Sequence, residues 1–81
     1  MTELPYNVAE GPFNLTIRST CTEGVYAVEA YRGDKLVRKW FTDGGKATCV
    51  LRVLTEVETI CAWRMSAAVR GAVRSALRGL D

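Results

Sequence analysis

Arg70, Arg74 and Arg78 recur at every fourth position in the C-terminal stretch SAAVRGAVRSALRGLD. On an α-helix that spacing stacks them into one basic ridge. Such a ridge suits the phosphates of a nucleic acid or an acidic protein surface. It also suits plain solvation beside the negative end of the helix dipole. No aromatic, Asn or Gln side chain is interleaved with these arginines, so recognition of individual bases is not part of the pattern.

Catalytic chemistry finds little to work with. The chain contains no histidine, the commonest general base. Glu56 and Glu58 stand two residues apart and cannot share a helical face. The three cysteines, Cys21, Cys49 and Cys61, show neither CxxC spacing nor close pairing, which argues against a zinc site and a disulfide framework and for free, buried thiols. Cys49 falls near the expected start of a helix, where a thiolate is favoured, but its place beside apolar positions puts it in the core. Gly44-Gly45 reads as a turn opening a helix rather than a phosphate loop. The triplet Arg32-Gly33-Asp34 is accounted for by a hairpin turn, and the glycosylation-acceptor pattern Asn14-Leu15-Thr16 lies inside an expected strand. The expectation is a protein without catalytic residues, metal or cofactor.

Composition bounds the rest. The 81 residues allow one small domain, spanning the whole of 1–81, with 48% hydrophobic and 25% charged residues. A formal net charge of +2, from eleven Lys and Arg against nine Asp and Glu, is too mild to imply nucleic-acid binding by itself. Its distribution says more: from Lys46 onward six basic residues face only Glu56, Glu58 and Asp81. The start, MTELPYNVAEG, lacks the basic and apolar regions of a signal peptide, and no apolar run reaches the ~18 residues of a membrane span. These features predict a cytosolic protein without a membrane partner.

The elements that must position these residues follow from periodicity. Residues 1–12 read as a lead-in arm. PFNLTIRSTC alternates, with Phe13, Leu15 and Ile17 on one side, and predicts a strand. VYAVEAY and LVRKWF predict two more, with RGDK as a tight hairpin turn. If both turns are two-residue loops, Arg18 lies opposite Glu29 and Glu29 opposite Arg38. One face of this three-stranded antiparallel meander, over 13–41, then holds Phe13, Leu15, Ile17, Cys21, Tyr26, Val28, Ala30, Val37 and Phe41 as core. The other holds an Arg18–Glu29–Arg38 ladder flanked by Val25, Tyr31, Leu36 and Trp40. Tyr31, Arg38 and Trp40 together make a candidate binding face of the aromatic-plus-arginine kind.

From Ala47 the period changes. Ala47, Val50, Leu51, Leu54, Val57, Cys61, Met65, Ala68, Val69, Ala72, Ala76 and Leu80 share one stripe at about 100° per residue. This predicts, over 46–80, one long helix or two near-coaxial ones. A helix of about 34 residues would run about 50 Å, longer than strands of about 20–33 Å can cover. The surplus must fold back at a break near Trp63–Ser66 or at Gly71, or be buried by a partner. Continuous phasing puts Trp63 on the polar side.

The order of three antiparallel strands and a helix, from Phe13 to about Trp63, resembles the β-β-β-α part of the double-stranded-RNA-binding fold, with Lys46 where that family opens its last helix with a lysine cluster. Small size, the absence of catalytic groups and the meander-plus-helix plan, with the hairpin YRGDKLV, are also similar to phage-encoded inhibitors of bacterial defence such as anti-CRISPR proteins. That resemblance implies a protein that occludes a surface on a nucleic-acid-binding effector complex in the cytosol of a bacterial host.

The sequence thus predicts an α+β domain that binds a protein or ribonucleoprotein complex through Arg70, Arg74 and Arg78 with Tyr31, Arg38 and Trp40. Two alternatives stand beside it. One is a nucleic-acid-binding protein that sets the arginine ridge on phosphates. The other is a homodimer whose helices bury each other's surplus apolar stripe.

Overall fold

A computed structural model describes residues 2–80. It is an α+β fold: a four-stranded antiparallel sheet in the order β1-β2-β3-β4, with two helices on one face. The strands are β1 (Tyr6–Glu10), β2 (Phe13–Ser19), β3 (Tyr26–Arg32) and β4 (Lys35–Thr42); the helices are α1 (Ala47–Thr59) and α2 (Ala67–Arg78).

Part of the expected lead-in arm is therefore a strand. Tyr6 and Val8 alternate with Asn7 and Ala9, and Glu10 pairs with Phe13 across a two-residue turn. Gly11, at φ +60°, supplies the left-handed first position that a type II′ hairpin needs. Five residues of alternation between two prolines are too short a signal to separate from a loop.

The turn at Gly33-Asp34 is the two-residue hairpin expected, with Arg32 opposite Lys35. The other registers differ, and the size of each shift decides its consequence. Between β2 and β3 the ladder closes at Ser19 and Tyr26, so Arg18 pairs with Ala27 instead of Glu29. The longer loop is held by the Thr20 hydroxyl, which donates to the Val25 carbonyl at 2.8 Å. A shift of two residues preserves the face each side chain occupies. Arg18 and Glu29 therefore still meet, diagonally, at 2.9 Å. Cys21 falls in this loop and is exposed rather than in the core.

Between β3 and β4 the shift is a single residue. Tyr31 pairs with Leu36 and Ala30 with Arg38, leaving Val37 as a bulge. A one-residue slip exchanges faces. Trp40, expected on the open face, is 4% exposed in the core, whereas Phe41, expected in the core, is 60% exposed. Arg38 turns to the helix side, and Lys39 takes its place in the charged row, 3.5 Å from Glu29 Oε2. The row across the sheet is Arg18–Glu29–Lys39.

The helices are neither continuous nor coaxial. Residues 60–66 form an irregular connector in which buried Cys61, Trp63 and Met65 alternate with exposed Ala62, Arg64 and Ser66. Ala62 takes φ +53° and ends α1, and Ser66 caps α2 by accepting from the Val69 amide at 3.3 Å. The connector is close to two helical turns long, so an apolar stripe keeps its phase across it. That is why one long helix could be drawn through the sequence. The stripe actually buried is centred on Val53 and Val57 in α1 and Val73 and Leu77 in α2, and Leu51 is left 67% exposed.

α2 folds back antiparallel to α1. The Gly45 amide donates to the Leu80 carbonyl at 2.6 Å, and Arg70 ion-pairs with Glu58 at the other end. A Cβ at Gly45 would stand 2.5 Å from the Leu77 carbonyl oxygen, so this approach requires glycine. Much of the apolar stripe, including Val50, Leu54, Val57, Cys61, Met65, Ala76 and Leu80, is buried within the chain.

One carboxylate ties the connector to the sheet. Glu10 accepts from the Trp63 indole N–H and the Ser66 amide, both at 3.1 Å. Trp63 in turn stacks on Phe13, with centroids 5.3 Å apart. These donors favour the ionised carboxylate and hold its pKa below 4.5, the Ser66 and Trp63 side-chain bonds being the main causes.

Two outcomes follow from this packing. Trp40→Ala is expected to cost about 3–5 kcal/mol and Phe41→Ala no more than about 0.5 kcal/mol in urea unfolding; the reverse order would restore the unbulged register. Because Glu10 has a depressed native pKa, its contribution is present above the unfolded value and is lost as pH falls through the folded one. The wild type should therefore lose stability more steeply than Glu10→Gln between about pH 5 and about pH 3. Parallel profiles would mean that the carboxylate does not hold the connector.

Candidate binding surfaces

The six residues singled out by sequence fall into three separate environments. Trp40 and Arg38 lie on the helix side of the sheet, where Glu56 of α1 receives both. The Trp40 indole N–H donates to Glu56 Oε2 at 3.1 Å, and Arg38 Nη2 lies 3.2 Å from Oε1. Arg52 approaches the same carboxylate at 3.9 Å. These contacts join β4 to α1, so Trp40 and Arg38 do not form a binding face with Tyr31.

The arginine ridge divides. Arg70 is half-buried and engaged by Glu58. Arg74 and Arg78 are exposed and have no ion pair among the described residues. They follow Arg70 along α2 at about 6 Å per step. Arg78 also occupies the last turn of α2, where a cation complements the helix dipole. Leu51, on the α1 flank that carries Glu58, is the most exposed large apolar side chain of the helix pair. The ridge therefore contributes two free cations beside an exposed leucine.

Tyr31 belongs to the open face of the sheet, which carries no helix. By register this face bears Asn7 and Ala9 of β1, Asn14, Thr16 and Arg18 of β2, Ala27, Glu29 and Tyr31 of β3, and Leu36, Lys39 and Phe41 of β4. Glu29 is sunk to 6% exposure between Arg18 and Lys39. The Arg18 contact is ionic without hydrogen-bond alignment, so Glu29 Oε1 has no directed donor. Asn14 Oδ1 is a second buried acceptor on this face without one. Lys39 Nζ also lies 5.1 Å from the Phe41 ring centroid. Phe41, Lys39 and Asn14 escaped the sequence reading. The bulge that exposes Phe41 and Lys39 has no local signature beyond β-formers on both sides of Arg38.

The thiols do not converge. Cys21 is exposed in the β2–β3 loop; Cys49, half-buried in the first turn of α1, has its sulfur 2.7 Å from Thr42 Oγ1; Cys61 is buried. No group of three or more His, Cys, Asp or Glu among the described residues is placed to hold a metal ion. Burial pushes the Cys61 thiol pKa above 9.0, with Arg38 opposing the shift. Toward an aromatic disulfide reagent at neutral pH, the expected order of reaction is Cys21, then Cys49, with Cys61 reacting only on unfolding. Loss of the fast phase in Cys21→Ser would verify the assignment; a fast phase that persists would contradict it.

Comparison of the chain with protein-family models, with curated proteins and with solved structures found no match. No helix among the described residues is long and apolar enough to cross a membrane.

Proposed function

We propose that this chain is a non-enzymatic binding protein that works by covering part of a macromolecular surface. The observation that carries the reading is the pair Arg74 and Arg78, exposed on a helix packed against α1 and free of ion pairs among the described residues. Unpaired arginines can meet a carboxylate or phosphate without first breaking an internal ion pair, and their pre-organised planar forks bind such groups with two hydrogen bonds. The carboxylates within the elements support the reading from the other side. Glu10, Glu29, Glu56 and Glu58 each hold an internal donor or cation and so serve the fold. The partner class follows from the resemblance in size and plan to inhibitors of bacterial defence: a CRISPR-type effector complex in a bacterial cytosol. Arg74 and Arg78 make the helix-side contact, with Leu51 beside them.

The test is plasmid interference in cells carrying a panel of CRISPR effector types, with and without the chain. Expression of the wild type should preserve a targeted plasmid against at least one effector. Arg74→Glu/Arg78→Glu, whose stability should stay within about 0.5 kcal/mol of wild type, should lose that protection. Protection undiminished in the double variant would remove the ridge from the contact. A purified chain that instead binds duplex DNA, weakening steeply with salt and only through these two arginines, would favour the phosphate reading.

A further inference from the structure

We infer that the open face of the sheet is a binding platform for single-stranded nucleic acid. The inference is independent of the reading above, because this face lies on the opposite side of the sheet from α1 and α2.

Two aromatic rings stand on it. Phe41 is 60% exposed and Tyr31 is partly exposed. By register they sit on adjacent strands and four positions apart along them, about 13 Å in the strand direction. Unpaired bases stack on such rings whatever their sequence, because every base has a π-face. Duplex bases are already stacked on one another and cannot do so. Of the cations needed for the backbone, Lys39 lies between the rings along the strands, and Arg18 lies across β3 from Phe41, level with Ala27. Arg18 and Lys39 are tethered at one end by Glu29, and their side chains remain 52% and 41% exposed. A guanidinium has five N–H donors and an ammonium three, so each retains donors for a phosphate after meeting Glu29. The carboxylate itself is sunk below them and neutralised. Asn7 and Thr16, joined by a 3.2 Å hydrogen bond from the Thr16 hydroxyl to Asn7 Oδ1, add amide and hydroxyl groups of the kind that meet base edges.

The same composition argues against a protein occupant. The centre of a protein interface is depleted of charge, whereas the row Arg18–Glu29–Lys39 crosses the middle of this face. The exposed large apolar side chains are confined to its β4 margin, at Leu36 and Phe41.

The experiment is fluorescence anisotropy of labelled oligo(dT) and oligo(U), each of roughly 20 nucleotides, with a duplex of the same length as control. The full chain should bind both single strands saturably at about 50 mM salt and bind the duplex more weakly. Tyr31→Ala/Phe41→Ala, checked for native circular dichroism, should weaken binding at least about tenfold. Two phosphate contacts predict a salt slope near −1.4. Arg74→Glu/Arg78→Glu should bind within about twofold of wild type. The inference is overturned if neither single strand binds, if the folded aromatic double variant binds as well as wild type, or if only the arginine variant loses binding.

Discussion

Val37 has no partner across β3, and that single unpaired residue decides which way the end of β4 faces. With it, Trp40 closes the core and donates to Glu56, Arg38 reaches the same carboxylate, and β4 is joined to α1. On the other side of the sheet it brings Lys39 to Glu29 and leaves Phe41 in solvent. An indole is larger than a phenyl ring, and burying it beside a carboxylate satisfies its N–H as well as its rings. The unbulged alternative would place Phe41 inside and leave Trp40 stranded outside.

The two faces of the sheet then acquire different chemistry from one ladder. The inner face is a continuous apolar layer under α1 and α2, including Leu15, Ile17, Val28 and Trp40 against Val53, Val57, Val73 and Leu77. The outer face keeps its polar groups and the charged row. A chain of this size has enough apolar surface for one layer interface only, so one side of the sheet stays open. Its buried Glu29 is tolerated because two cations reach it, and either cation alone would leave that carboxylate poorly compensated.

The four glutamates of the strands and helices serve the fold. Glu10 joins the connector to β1, Glu29 centres the outer face, Glu56 joins β4 to α1, and Glu58 joins α1 to α2. The partly exposed ion pairs of Glu56 and Glu58 contribute little stability individually; their effect is on position. They also remove negative charge from the surface, so the exposed charge on α2 is that of Arg74 and Arg78. A modest overall charge of +2 is thereby compatible with a locally basic helix face.

Period-two alternation in β2 and β3, the turn at Gly33-Asp34 and the change to helical period after Gly45 are local properties, and they were legible as an antiparallel meander followed by helix. So was the meeting of Arg18 with Glu29, because a register shift of two residues leaves both on one face. The arginine spacing on α2 was legible for the same reason: it depends on the helix alone. The face of Trp40 was not, since inserting Val37 as a bulge alters no local preference and is chosen by packing against α1. Nor was the path of 60–66, whose length preserves the phase of the stripe whether or not it is helical; Phe13 and Glu10, distant in sequence, hold Trp63 inward in a non-helical connector. Sequence determined which residues repeat and with what period. Tertiary structure decided which cations remain free, because the carboxylates that neutralise the others come from different elements.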